Sequence, residues 1–251
     1  MKWHYQYVPD DAWDFDTMNE HTVLTLKRDG QDVPAIVSFQ KPGFVTALDR
    51  RDGKILYAKK FTKSVDWAEG IDMKTGRPIE TPGKRPVMGG DKIEMCPALL
   101  GSRNWVPSSY SPQTGLVYVP TMDLCMKYGY VKEIKWTRGL AYVGIAFETV
   151  QKGENAGAIR AYNPNTGDMA WEHVTKAPPI HSGMLSTGGG LLFFQTMDGH
   201  FRALDAKTGK LVWEHNNGQL ASTGPVSYAV NGKQHIAVVV GGKTRIRGWF
   251  A

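Results

Sequence analysis

The chain has 251 residues with 41% hydrophobic content, long enough for one large domain or two small ones. Its net charge of +6 comes from scattered basic residues with no nucleic-acid motif beside them, which excludes a dedicated DNA or RNA surface and leaves a solvated basic face suited to an acidic protein partner. No apolar run reaches the roughly 18 residues a membrane span needs, and "MKWHYQYVPDD" lacks the apolar stretch of a signal peptide. With Gly 28, Pro 14, eight Trp and ten Tyr, the composition favours tight turns and aromatic-rich strands, an all-β protein.

The first informative stretch is "DAWDFD", Asp11 to Asp16. On an extended strand residues two apart share a face, so Asp14 and Asp16 would look one way while Trp13 and Phe15 bury the other. Such a pair could bind a hard cation or move a proton. The alternative is an acidic turn ahead of the strand "HTVLTL", and these six residues leave both open.

Further along, a frame recurs. "ALDRRDGKILY" from Ala47, "AYNPNTGDMAW" from Ala161 and "ALDAKTGKLVW" from Ala203 share Ala first, Asp or Asn third, Gly seventh and an aromatic eleventh. "IDMKTGRPI" from Ile71 and "SYSPQTGLVY" from Ser109 keep the turn and lose the final aromatic. The frame reads as strand, tight turn with Gly at positive φ, and return strand. The closing aromatic projects from its sheet and can be buried only against a neighbouring copy, which is the logic of a propeller blade. This predicts four-stranded antiparallel blades with Trp171 and Trp213 packed between them. About 42 residues separate the last two copies, a blade's length, and an insertion at roughly 122–155 divides the halves. "KW" at positions 2 and 3 reads as the tail of a further copy.

These residues resemble the pyrroloquinoline quinone (PQQ)-dependent methanol and ethanol dehydrogenases, eight-bladed quinoprotein propellers. The resemblance covers essentially the whole chain, as the C-terminal half of such an enzyme in one propeller domain over residues 1–251. It implies that Asp14 is the general base that takes the alcohol's hydroxyl proton as hydride passes to the quinone. Asp16 matches the second aspartate of lanthanide-dependent members, where calcium-dependent members carry a small neutral residue. The implied metal is thus a lanthanide, with calcium as the alternative, bound by Asp14 and Asp16. Lys41 in "QKPG" corresponds to the cation beside the quinone oxygens, and Asn104 with Trp105 in "GSRNW" to the segment facing the cofactor. His181, Gly248 and Trp249 fall where relatives contact PQQ. Cys96 and Cys125 match a structural disulfide of methanol dehydrogenases, with two free thiols as the alternative; a bridge would imply the periplasm.

The family's vicinal-cysteine ring, the Trp under PQQ, and the Glu and Asn metal ligands have no counterpart here, and the resemblance places them in a missing N-terminal half. The implied partners are a small primary alcohol, a cytochrome c acceptor and that missing half, with a homodimer left open. The rival reading is a non-catalytic propeller scaffold of the outer-membrane-assembly kind, which has no need of Asp14, Asp16, Lys41, Asn104 or the cysteine pair.

Overall fold

The structure is a computed structural model that describes residues 1–139, 144–180, 183–219 and 223–241. Each full copy of the turn frame closes in the same way. The Gly53 amide donates to the Asp49 carbonyl, the Asp49 amide to the Lys54 carbonyl, and the Arg51 amide to the Asp49 carboxylate. Asn163 does the same with Gly167, Asp168 and Asn165, and Asp205 with Gly209, Lys210 and Lys207. The third-place side chain satisfies an amide two residues on. The seventh-place glycines take φ of 77°, 76° and 71°, a region that resists a Cβ.

The turns join strands into antiparallel meanders. The first sheet takes β1 (Thr22–Arg28), β2 (Gln31–Phe39), β3 (Phe44–Asp49) and β4 (Ile55–Lys60) in chain order. Then β5 (Ala68–Ile71) pairs with β6 (Pro78–Glu80), and β7 (Ile93–Met95) follows. The stretch at roughly 122–155 contributes a pair of antiparallel strands. After β8 (Ser109–Ser111) and β9 (Leu116–Met122), the chain leaves as β10 (Leu124–Tyr130) and β11 (Ile145–Gln151), which pair with each other, β10 also pairing with β7. It returns as β12 (Gly157–Tyr162) and β13 (Met169–Thr175), completing a sheet ordered β13-β12-β9-β8. The next four-stranded sheet is β14 (Leu185–Ser186), β15 (Leu191–Gln195), β16 (His200–Asp205) and β17 (Leu211–Asn216), and β18 (Val226–Val230) pairs with β19 (Lys233–Ala237). No helix occurs among the described residues, so the all-β, four-stranded architecture stands.

Register explains why each frame opens on Ala and closes on an aromatic. Ala47 pairs with Tyr57, Ala161 with Trp171 and Ala203 with Trp213, each just before a bulge. A residue without bulk opposite the ring lets the ring lean out of its own sheet, and the bulge adds local twist. The ring then lies on the next frame's glycine and donates to the carbonyl at its fourth place. Trp3 reaches Arg50 at 2.9 Å, Tyr57 reaches Pro164 at 2.7 Å and Trp171 reaches Ala206 at 3.2 Å. The rings cover Gly53, Gly167 and Gly209, where a Cβ would stand 2.7, 2.8 and 2.4 Å from ring carbons. Tyr5 covers Gly76 of the incomplete frame in a related way, its hydroxyl donating to the Gly76 carbonyl itself at 2.8 Å.

Between the docked edges the sheets pack face to face. Val37, Val45 and Ala47 of the first sheet meet Val117, Val119 and Tyr162 of the second, and Tyr118 and Ile159 meet Leu192, Phe194 and Leu204 of the third. Trp213 corrects the expectation that both tryptophans are packed between blades. It is 47% exposed, and among the described residues no frame lies where its seat would be. Its nearest ring partners are Phe201 and His215 of its own sheet.

Candidate functional site

The segment 11–16 is not a strand. Asp14 has φ of +65°, which breaks a ladder and costs a residue with a side chain roughly 1–2 kcal/mol, least for Asp and Asn. The alternation expected from a strand nevertheless holds, with Trp13 and Phe15 buried and Asp14 and Asp16 exposed. Trp13 stacks on Phe15 at 6.1 Å, both rings pack on Trp67, and Trp13 Nε1 donates to the Lys84 carbonyl at 2.7 Å. Arg85 covers the outer face of Trp13, its guanidinium 4.5 Å from a ring centre. The two carboxylates therefore stand on an aromatic floor.

Lys41 lies in the tight turn between β2 and β3, closed by the Gly43 amide on the Gln40 carbonyl. Its ammonium is 3.4 Å from Asp14 and 3.6 Å from Asp16, with its side chain 4% exposed against 48% and 54% for the carboxylates. A buried cation thus faces two solvent-facing carboxylates. The Lys41 ammonium by itself would hold the Asp14 carboxyl low, but the balance runs the other way. Burial pushes Asp14 up, Lys41 pulls it down, and Asp16 beside it pushes it up again, for a net rise above the ordinary aspartate value.

The 98–104 loop clamps Lys41 from behind. The Ser102 amide donates to the Lys41 carbonyl at 2.9 Å, and a Cβ at position 101 would stand 2.3 Å from Lys41 Cγ. Only glycine fits there, at φ of +80°. Asn104 belongs to this loop, but its amide is engaged locally: Nδ2 donates to the Leu100 carbonyl and Oδ1 accepts the Trp105 amide. Trp105 itself is exposed. Asp14, Asp16 and Lys41 are therefore brought together, Asn104 braces the loop beneath them, and His181, Gly248 and Trp249 lie outside the described residues.

Comparisons with known proteins identify the family. The profile of the PQQ glucose/ethanol/alcohol dehydrogenase β-propeller domain matches residues 1–63 and 173–236, just over half of the chain. The chain belongs to this family. The quinoprotein alcohol dehydrogenase PedE of Pseudomonas putida is 39% identical over 96% of the chain and 39% of its own length. A lanthanide-dependent methanol dehydrogenase of Methylacidiphilum fumariolicum is 38% identical over 99% of the chain and 40% of its own length. A solved europium-containing methanol dehydrogenase superposes with a TM-score of 0.87 at 38% identity, over 93% of the chain and 41% of that protein. The chain thus spans about two-fifths of the length of these relatives.

The donor set fits metal and quinone in part. Asp14 and Asp16 offer hard anionic oxygens and Lys41 a cation for quinone oxygens. Among the described residues no group of three or more His, Cys, Asp or Glu could hold a metal ion. Cys96 and Cys125 form a disulfide with Cα atoms 4.3 Å apart, joining the start of the 98–104 loop to β10.

One pair beneath the site escaped the sequence reading. The Arg103 side chain is wholly buried, binds both oxygens of Glu20 at 3.0 and 2.9 Å, and donates to the Val106 carbonyl. Glu20 also accepts the Ser108 amide, and Asn19 donates to the Asn104 carbonyl. Burial pushes the Glu20 carboxyl up, but Arg103 and Ser108 together bring it below the usual range. This clasp ties the Asp14–Asp16 segment to the Asn104 loop. A single charged residue in "MNE" and another in "SRNW" carry no periodic signal, so nothing in the sequence pointed to it.

Proposed function

We propose that this chain supplies the base-and-cation side of the catalytic site of a PQQ-dependent primary-alcohol dehydrogenase, as the C-terminal part of one eight-bladed propeller. The supporting observation is Lys41, buried and within 3.6 Å of two exposed carboxylates on a rigid aromatic floor. Bound PQQ would supply the two-electron acceptor for the alcohol's hydride. Asp14 takes the alcohol's hydroxyl proton, and its raised affinity for protons suits it to that role. Lys41 stabilises negative charge developing on the cofactor's oxygens. Asp16 adds an anionic oxygen for a trivalent lanthanide in preference to calcium.

Two carboxylates fill only part of the six or more positions of a hard cation, so the remaining ligands come from a further portion of the propeller. The exposed face of β17 with Trp213, beside a groove lined by Leu191, Phe193, Phe201 and Ile236, is where that portion docks. The disulfide favours the periplasm, and a cytochrome c would take the electrons onward.

The test is to join the chain to the N-terminal portion of a relative and follow PQQ-dependent, dye-linked oxidation of ethanol. Asp14→Asn should lower kcat by about a hundredfold or more while thermal stability stays unchanged. Asp16→Ala should remove the rate supported by lanthanide. Full activity of Asp14→Asn would overturn the base assignment, equal rates with lanthanide and calcium in the parent would overturn the metal preference, and turnover by residues 1–251 alone would show that no further portion is needed.

A further inference from the structure

Asp14 is held in a left-handed conformation with its backbone unpaired to any strand, so something other than a ladder must fix where its carboxylate points. The amide just before it, that of Trp13, donates to the Asp11 carboxylate at 2.9 Å. The carbonyl of the same peptide unit, that of Ala12, accepts the Tyr130 hydroxyl at 3.2 Å. That peptide unit is therefore held at both ends from outside any ladder, and Asp11 holds its amide.

We infer that Asp11 is a positioning residue: through the Trp13 amide it holds the peptide that leads into Asp14 and so helps aim Asp14 and Asp16 at Lys41. The inference rests on the reading of Asp14 as the base only for its kinetic consequences; the hydrogen-bond arrangement can be tested without it. A carboxylate that accepts an amide two residues on fixes the plane of that peptide, and charge assistance makes such a bond strong. Asp11 also lies near Asp16 and Lys41 in electrostatic terms, so a pure charge effect is the competing explanation. Asparagine separates the two. It keeps an Oδ1 acceptor in the same place and removes the charge.

The first measurement is amide hydrogen exchange in the full 251-residue chain. Asp11→Ala should speed exchange at Trp13 by roughly tenfold to a hundredfold, the worth of a charge-assisted hydrogen bond, and leave β2 and β3 protected. Asp11→Asn should keep Trp13 close to its original rate. Unchanged exchange in Asp11→Ala, or equal damage from Asn and Ala, would overturn the inference. Should Asp11→Ala fail to fold, the unaltered chain decides: a through-hydrogen-bond coupling from the Trp13 amide to the Asp11 carboxyl carbon is required, and its absence overturns the assignment.

The second measurement is a double-mutant cycle in the joined, PQQ-loaded enzyme. Asp11→Ala should lower kcat about tenfold with KM little changed, Asp11→Asn should recover most of that loss, and Asp11→Ala should cost nothing further once Asp14 is Asn. A cost that adds fully in the Asp14→Asn background would show that Asp11 does not act through Asp14 and would sink the inference. If Asp14→Asn alone is harmless, the base assignment fails, while the exchange data still decide what Asp11 does to the backbone.

Discussion

Trp171 and Trp213 occupy the same place in two copies of one frame, each paired with a buried Ala before a bulge. Trp171 lies on Gly209 and donates to Ala206. Trp213 stands 47% exposed at the edge of the same sheet that seats Trp171. The difference shows that the frame encodes both halves of a joint, an aromatic that projects and a turn that receives it, and that the two halves of any one joint come from different copies. Local sequence makes the ring project; only a neighbouring frame buries it.

The comparison can be broken by mutation, and the largest effect is expected at the closed joint. Trp171→Ala should destabilise the chain by about 3 kcal/mol in urea or thermal unfolding, the low end for a large aromatic because the ring is only partly buried. A loss below about 1 kcal/mol would mean that docking does not hold the sheets together.

Approached from the receiving side, Gly209→Ala should cost about 2 kcal/mol. It combines a left-handed backbone with a methyl group 2.4 Å from the Trp171 ring. Gly115→Ala, with similar φ and nothing within 4 Å, should cost about 1 kcal/mol from backbone strain alone. Equal costs at the two glycines would show that the ring moves aside freely.

At the Tyr57 joint the polar contribution can be isolated. Tyr57→Phe removes the bond to the Pro164 carbonyl and keeps the ring over Gly167, so a loss of about 1 kcal/mol is expected by chemical denaturation. Acid should act more gently on the sheet that carries both joints of Trp171 and Trp213. Burial raises the Asp198 carboxyl, but Arg202, Thr196 and the His200 amide together bring it down to about 2. A depressed carboxyl stabilises the fold above its unfolded value near 3.9, and that contribution is lost as pH falls from about 4 toward 2. Asp198→Asn should flatten the stability profile in that window. The smallest effect belongs to the open joint: Trp213→Ala should change the stability of this chain by no more than about 0.5 kcal/mol. A loss like that of Trp171→Ala would place an unrecognised seat around Trp213.

The site shows a similar division between what is local and what is assembled. Asp14 and Asp16 were legible as a pair sharing a face, and they do share one, although the reason is not a strand. Asp14 is left-handed and the Trp13 amide before it bonds to Asp11, so the aromatic anchors and not a ladder preserve the alternation. The resemblance picked out Lys41, and the structure adds that its ammonium is buried against both carboxylates, a fact that depends on Gly101 and Ser102, some 60 residues away in the chain. The Asn104 amide, in the segment that the resemblance sets facing the cofactor, is turned onto Leu100 and Trp105. The Asp14 carboxyl is raised and not lowered because its pKa is a sum over burial, Lys41 and Asp16, and no residue spacing reports that sum.

By itself the sequence determined the strand–turn–strand unit, its repetition and the projecting aromatics. Each rests on interactions within a dozen residues: a third-place carboxyl or amide on a nearby backbone N–H, a glycine at positive φ, and an Ala opposite a ring. Tertiary structure alone decided which aromatics are seated, that β10 pairs with β7, that Arg103 and Glu20 clasp the two site loops, and how strongly Asp14 holds its proton. Those outcomes depend on burial and on charges brought together from distant positions, and both exist only once the sheets have packed.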